Sequence, residues 1–181
     1  MAAFICLALI AVSCGSSPSD SEKDFDLESL NAALAQELTA VDAYTRGLPL
    51  LRGRLRAVGR EFRAQELEYV DAITKAIRGL GGEADAEPTE LDFSEVKGQA
   101  DFLALAYGLE NAAFNFYTEA SPQLYTVAPR ILATTLAAGH AQHLVVLRQG
   151  LGAALVEAAP EAFESGEAPA PGATTPSGTT G

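Results

Sequence analysis

His140-Ala141-Gln142-His143-Leu144-Val145-Val146-Leu147-Arg148 contains both histidines of the chain. On a helix, side chains three residues apart point the same way. Around the pair, Leu136, His140, His143, Leu147, Gly150 and Ala154 recur in steps of four and three. That is the rhythm of a helix face turned into a bundle core. Two imidazoles therefore stand where aliphatic side chains belong, and a buried polar group requires a partner. Working outward, three earlier segments each supply one carboxylate at a matching position.

The first segment begins near Asp26, with a seam of Leu27, Leu30, Leu34, Glu37, Val41, Tyr44, Leu48 and Leu51. Glu37 is its one carboxylate, and Gly47 and Pro49 mark its end. The second runs from about Leu55 to Leu80 along Leu55, Gly59, Phe62, Glu66, Tyr69, Ile73, Ala76 and Leu80, so Glu66 and Tyr69 point inward together. The third spans about Gly98 to Ala120 on Leu103, Ala106, Glu110, Ala113, Tyr117 and Ala120. Tyr107, Phe114, Phe116 and Tyr117 read as core, with electron transfer the lesser alternative. Pro122 and Pro129 bracket a turn, and the fourth helix follows to about Ala154. The Glu37-to-Glu66 and Glu110-to-His140 separations agree to within one residue, so two halves repeat one plan.

Between the halves, residues 81–97 form a long acidic connection. Extended, it reaches about 56 Å, against about 39 Å for a helix the length of the second segment. It can cross the whole bundle, where a hairpin turn needs far fewer residues. The expected fold is therefore all-α: four helices, with a long crossover between the second and third.

Composition agrees. Of 181 residues, 48% are hydrophobic, which fills a single core, and Ala and Leu outweigh β-branched types. A formal charge of −12 speaks against nucleic acid as a partner. No phosphate-binding loop, nucleotide fingerprint or nucleophile motif occurs. The cysteines, Cys6 and Cys14, both precede the bundle, so no disulfide framework is expected.

Residues 4–12 are an apolar run too short to cross a bilayer and suited to an export signal. Ala11-Val12-Ser13-Cys14 follows, then Gly15-Ser16-Ser17-Pro18-Ser19, and the pair resembles a bacterial lipobox with its tether. The resemblance implies cleavage before Cys14, lipid on its thiol, and an extracytoplasmic protein held to the membrane. No basic residue precedes the apolar run, which a true start upstream of Met1 would explain. The resulting division is a signal with lipobox (1–13), a flexible tether (14–25), the bundle (26–156) and a disordered Pro/Gly/Thr-rich tail (157–181).

The spacing, AQELEYVDAI (Ala64–Ile73) and HAQHLVVLR (His140–Arg148) resemble the bacterial ferritin-like domain proteins, within the ferritin-like di-iron carboxylate group, over about Asp26 to Ala154. That family carries a lone Glu and then Glu-x-x-His in each half. The resemblance implies a ferritin-like four-helix bundle with Glu66 as bridging ligand, Glu37 and Glu110 as terminal ligands and His143 as imidazole ligand. Tyr69 stands where a His is expected and His140 where a bridging Glu is expected; both join the candidate set from spacing alone. Losing a carboxylate unbalances the charge of two divalent ions. The half holding Glu66, Glu110, His140 and His143 keeps a mixed nitrogen and oxygen set suited to iron, manganese or zinc, so one ion is expected more readily than two. Two functions stay open: a metal-binding protein that binds or oxidises iron, and a metal-free, lipid-anchored bundle with a structural or partner-binding role. Homo-oligomer formation stays open as well.

Overall fold

The structure, a computed structural model, describes residues 17–154. The expected signal, lipobox, Cys14 and tail lie outside these residues. Four helices make up the fold: α1 (Asp20–Gly47), α2 (Gly53–Gly79), α3 (Gln99–Ala120) and α4 (Val127–Gly150), with a short 3-10 turn at Leu48–Leu50. There is no strand among the described residues.

α1 starts six residues before the expected Asp26, inside the stretch read as tether. The cause is a capping box: Ser19 Oγ accepts from the Glu22 backbone N–H, and the Glu22 carboxylate accepts from the Ser19 N–H. Each contact satisfies a donor that a helix start leaves orphaned. Pro129, expected in the turn, instead sits in the first turn of α4, where a missing N–H costs nothing. α4 also stops short of Ala154. Gly152 turns to φ +105°, and the N–H groups of Gly152 and Ala153 return to the carbonyls of Gln149 and Arg148, closing the helix as a glycine cap does.

The crossover lies along α1 for much of its length. Asp85 N–H donates to Asn31 Oδ1 at 3.0 Å, Thr89 N–H to Thr39 Oγ1 at 2.8 Å, and Arg46 Nη1 to the Leu91 carbonyl at 3.2 Å. Arg46 also covers the Phe93 ring at 3.7 Å. These anchors advance from Asn31 to Arg46, so the connection travels up the bundle. α3 then runs back alongside, α1 packing mainly on α2 and α3 mainly on α4. At the far end, buried Asp26 accepts from the N–H groups of Tyr125 and Thr126 at 2.9 and 2.8 Å, tying the α3–α4 turn to α1.

The core divides into two apolar layers. One contains Leu30, Leu34, Ile73, Ile77, Tyr117 and Leu136. The other contains Tyr44, Phe62, Phe102, Leu103, Leu144 and Leu147. Each helix passes from one layer to the other through its polar position: Glu37, Glu66, Glu110, and the His140–His143 pair. The periodicity that buries the leucines thus carries the acids and imidazoles to one depth.

Candidate metal centre

Glu37, Glu66, Glu110, His140 and His143 are all at most 2% exposed. Donor atoms of Glu66, Glu110, His140 and His143 lie within 4.8 Å of one another. These are the four residues that the sequence assigned to the better-supplied half of the site.

Glu110 is the hub. Its Oε1 accepts from Tyr44 Oη at 2.6 Å. Its Oε2 lies 2.7 Å from His140 Nδ1 and 3.0 Å from His143 Nδ1. Burial opposes a charge here, yet the hydrogen bonds from His140 and His143 hold its pKa down to about 2. Burial likewise opposes charge on Glu37; hydrogen bonding with Glu66, His140 and Tyr117 outweighs it and leaves the pKa lowered. Tyr117 Oη donates to Glu37 Oε1. The Tyr44 and Tyr117 phenols are raised well above their usual range, by burial first and then by Glu110 and Glu37 respectively.

His140 joins the two lone carboxylates. Its Nδ1 faces Glu110, and its Nε2 lies 3.2 Å from Glu37 Oε1. Only an imidazolium donates at both nitrogens. Burial would lower the His140 pKa, but these two partners lift it to about 9.

Glu66 has the opposite problem. No other described residue donates to either of its oxygens or to Glu37 Oε2, so the proton carried by the Glu37–Glu66 pair is the one hydrogen bond open to them. Oε1 lies 3.2 Å from His143 Nδ1 without the alignment of a hydrogen bond. Burial, with the Glu37 and Glu110 carboxylates nearby, pushes the Glu66 pKa far above the carboxylate range, so it holds a proton. A buried polar group left unpaired costs about 1–3 kcal/mol. A proton shared with Glu37 relieves that cost, and so would a cation.

Tyr69 flanks the group. Its ring stacks beside His143, with centroids 6.3 Å apart, and meets His140 edge-on at 5.5 Å. Burial and the surrounding acids raise its pKa to about 12. Gly139 makes its position feasible, since a Cβ there would overlap the Tyr69 hydroxyl. His143 is stacked on Phe62 at 3.8 Å, and its Nε2 lies 2.7 Å from Gln65 Oε1. This contact fixes the ring with Nδ1 facing Glu66 and Glu110, as outer partners orient metal-binding imidazoles.

Sequence reasoning gave Gln65 no role, read Tyr117 as core ahead of electron transfer, and saw Tyr44 only as a seam residue. The signal for the tyrosines was present: Tyr44 and Tyr117 each lie seven residues beyond a core carboxylate on their own helix, a near-whole number of turns. Each serves the carboxylate of the other helix. Gln65 carries no such signal, because an amide beside a seam also suits a solvated flank.

Residues 25–153 match the family model for the ferritin-like domain. No curated protein matches the sequence. Among solved structures, a ferritin-like, diiron-carboxylate protein from Bacillus anthracis is 19% identical with a TM-score of 0.65, over 74% of this chain and 100% of its own. A conserved hypothetical protein from Mycobacterium tuberculosis is 21% identical with a TM-score of 0.67, over 74% of this chain and 94% of its own. Rhodobacter capsulatus bacterioferritin, described with a metal-free dinuclear site and heme iron, is 22% identical with a TM-score of 0.58, over 74% of this chain and 85% of its own. At these identities the structures support the fold, while the domain match spans most of the chain: this protein belongs to the ferritin-like domain family.

Proposed function

We propose that the protein binds one divalent transition-metal ion, iron in the first place with manganese or zinc as alternatives, through Glu66, Glu110, His140 and His143. One observation carries the reading: four buried donors gather within 4.8 Å, and, Glu37 apart, neither oxygen of the central Glu66 has a hydrogen-bond donor among the described residues. A mixed imidazole and carboxylate set suits these metals. The likeness in fold to the diiron-carboxylate protein from Bacillus anthracis lends support. Bound iron would supply one-electron redox chemistry.

The chain's own groups do the rest. Tyr44 fixes Glu110 and Tyr117 fixes Glu37, while Gln65 orients His143. Glu66 and His140 release protons as they become ligands. The test is metal content of protein purified without chelators, beside a Glu66→Ala/His143→Ala double variant. Stoichiometric metal, lost in the variant, supports the reading; none in either protein refutes it.

A second reading rests on His140. Its two nitrogens already face two carboxylates, so an imidazolium supplies a buried cation without metal and the bundle serves a structural or partner-binding role. Protein that gains no thermal stability from Fe²⁺, Mn²⁺ or Zn²⁺ would favour it, since a ligand selective for the native state must raise the midpoint.

We further propose that the protein is exported and held to the membrane by lipid on Cys14, supported by the apolar run at 4–12 and by Ala11-Val12-Ser13-Cys14. No helix among the described residues is long and apolar enough to cross a membrane. Detergent-phase partitioning that Cys14→Ser abolishes is the expected result, and sedimentation of the detergent-free variant reads the oligomeric state.

A further inference from the structure

A cavity of about 200 Å³ lies between α1 and α3, beneath the crossover. Its walls are Ala40, Leu91, Leu109 and Ala113, and its inner end reaches Glu110 and His140. It comes to the surface at Ala112 and Thr89, which are exposed. The crossover is pinned over it, because Thr39 Oγ1 accepts from Thr89 N–H at 2.8 Å while donating to the Ala35 carbonyl at 2.6 Å. The hydroxyl that holds the roof is thereby occupied.

Nothing in the metal reading uses this space. An ion needs only the four donors, and Gln36, Leu91, Leu109, Ala112 and Ala113 play no part in them. A dry cavity of about 150 Å³ lined by apolar groups accepts benzene, so this volume suits one ring or a short chain. Its polar end then fixes the chemistry of the guest. The Glu110 carboxylate accepts from Tyr44, His140 and His143, and an oxygen carries more than one lone pair. It repels an anion. An ammonium would have to leave water for an apolar chamber, which costs far more than burying a neutral group. A hydroxyl on an apolar body meets both demands.

We propose that the cavity beneath the crossover binds a small uncharged organic molecule, one ring or a short chain bearing one hydroxyl, with the hydroxyl at Glu110 and His140. Such a molecule lies against two of the four metal donors, so any reaction of it rests on the metal reading. Its binding as such does not, which lets the two fail separately. Leu109 sets the length of the guest from one wall and Ala112 guards the rim.

The test uses the full chain, metal-free and metal-loaded, with benzyl alcohol, benzoate and benzylamine as probes. Calorimetry gives affinities, and methyl resonances of Ala40, Leu91, Leu109 and Ala113 give location. Benzyl alcohol is expected to bind at least tenfold more tightly than benzoate or benzylamine to the metal-free protein and to move those four methyls. Ala112→Phe is expected to weaken it at least tenfold while metal affinity stays within twofold. Leu109→Ala, which enlarges the chamber, is expected to admit naphthalenemethanol, which the wild type refuses. Equal binding of the three probes, no binding, or shifts confined to other residues overturns the proposal. Should Ala112→Phe fail to fold, the gain by Leu109→Ala decides alone. Alcohol binding without metal binding refutes the metal reading and leaves this one standing; metal binding without alcohol binding does the reverse.

Discussion

Replacing Glu66 with Gln is expected to stabilise the metal-free protein at neutral pH and to have little effect in acid. In the folded chain Glu66 keeps its proton, because burial and two neighbouring carboxylates raise its pKa far above the ordinary value of 4.5. The unfolded chain ionises near that ordinary value. A group whose pKa is raised by folding contributes stability that is complete below the unfolded pKa and declines as pH rises above it. Each pH unit costs about 1.4 kcal/mol, so between 4.5 and 7 the loss reaches about 3 kcal/mol. Gln is isosteric, cannot ionise and still offers a donor towards Glu37, so it escapes the loss. For a chain of this size the gain corresponds to a midpoint about 6–12 °C higher. Urea denaturation at pH 4 and pH 7, with chelator present, measures it. Comparing the wild type with the variant at each pH cancels every other titration. A difference at pH 7 no larger than at pH 4 would show that Glu66 is ionised in the fold, and the reasoning about its unpaired oxygens would be wrong. The same variant should lose the rise in midpoint expected when metal is added to the wild type.

Other outcomes follow from the same geometry. The His140 C2 proton resonance should titrate near pH 9 in the metal-free protein, and the stability this ion pair contributes, complete below about 6.5, should be lost as pH rises through 9; a midpoint near 6.5 by NMR would contradict the double contact with Glu37 and Glu110. Gly139→Ala forces a Cβ into the Tyr69 hydroxyl and should cost about 1–3 kcal/mol, part of which Tyr69→Phe should restore; equal stability of the Gly139→Ala protein and the wild type refutes the packing. Gln65→Leu leaves His143 without its outer partner and should weaken metal binding about 10–100-fold, read by competition with a chromophoric chelator. Ser19→Ala should destabilise the fold by about 1 kcal/mol, measurable by thermal melt, because α1 begins at that cap and not at Asp26.

The bundle was legible because burial here is periodic. Leucines at steps of three and four leave no other face to bury, and Glu37, Glu66, Glu110, His140 and His143 interrupt that face in the order the folded helices require. Length did the rest, since seventeen residues between the halves can span a helix where a turn cannot. What stayed hidden depends on how one helix is rotated against another. Gln65 sits one position off its seam, and only the ring of His143 across the bundle makes it a partner. Asp26 marked a start in the sequence; in the fold it is a buried acceptor for the turn at Tyr125 and Thr126. Ser19-x-x-Glu22 is a readable cap, but it follows Gly, Ser and Pro, whose composition argued for a tether. Pro129 misled for a related reason: proline is as welcome in the first turn of a helix as in the loop before it.

If the site takes metal, charge favours one ion over two. Glu37 and Glu110 are ionised, Glu66 carries a proton and His140 carries another. A divalent cation that displaces those two protons leaves the net charge of the core unchanged, so no new charge has to be stabilised among Leu, Phe and Tyr side chains. A second divalent ion has no such exchange available. The remaining protons belong to Tyr69, raised to about 12, and to Tyr44 and Tyr117, raised well above their usual range by burial beside acids. It would have to bring hydroxide or leave its charge uncompensated, and uncompensated charge in an apolar interior is costly. The two departures from the family pattern act together in this respect. A tyrosine at 69 withholds an imidazole, and a histidine at 140 removes a carboxylate while placing a titratable cation between the two acids that remain.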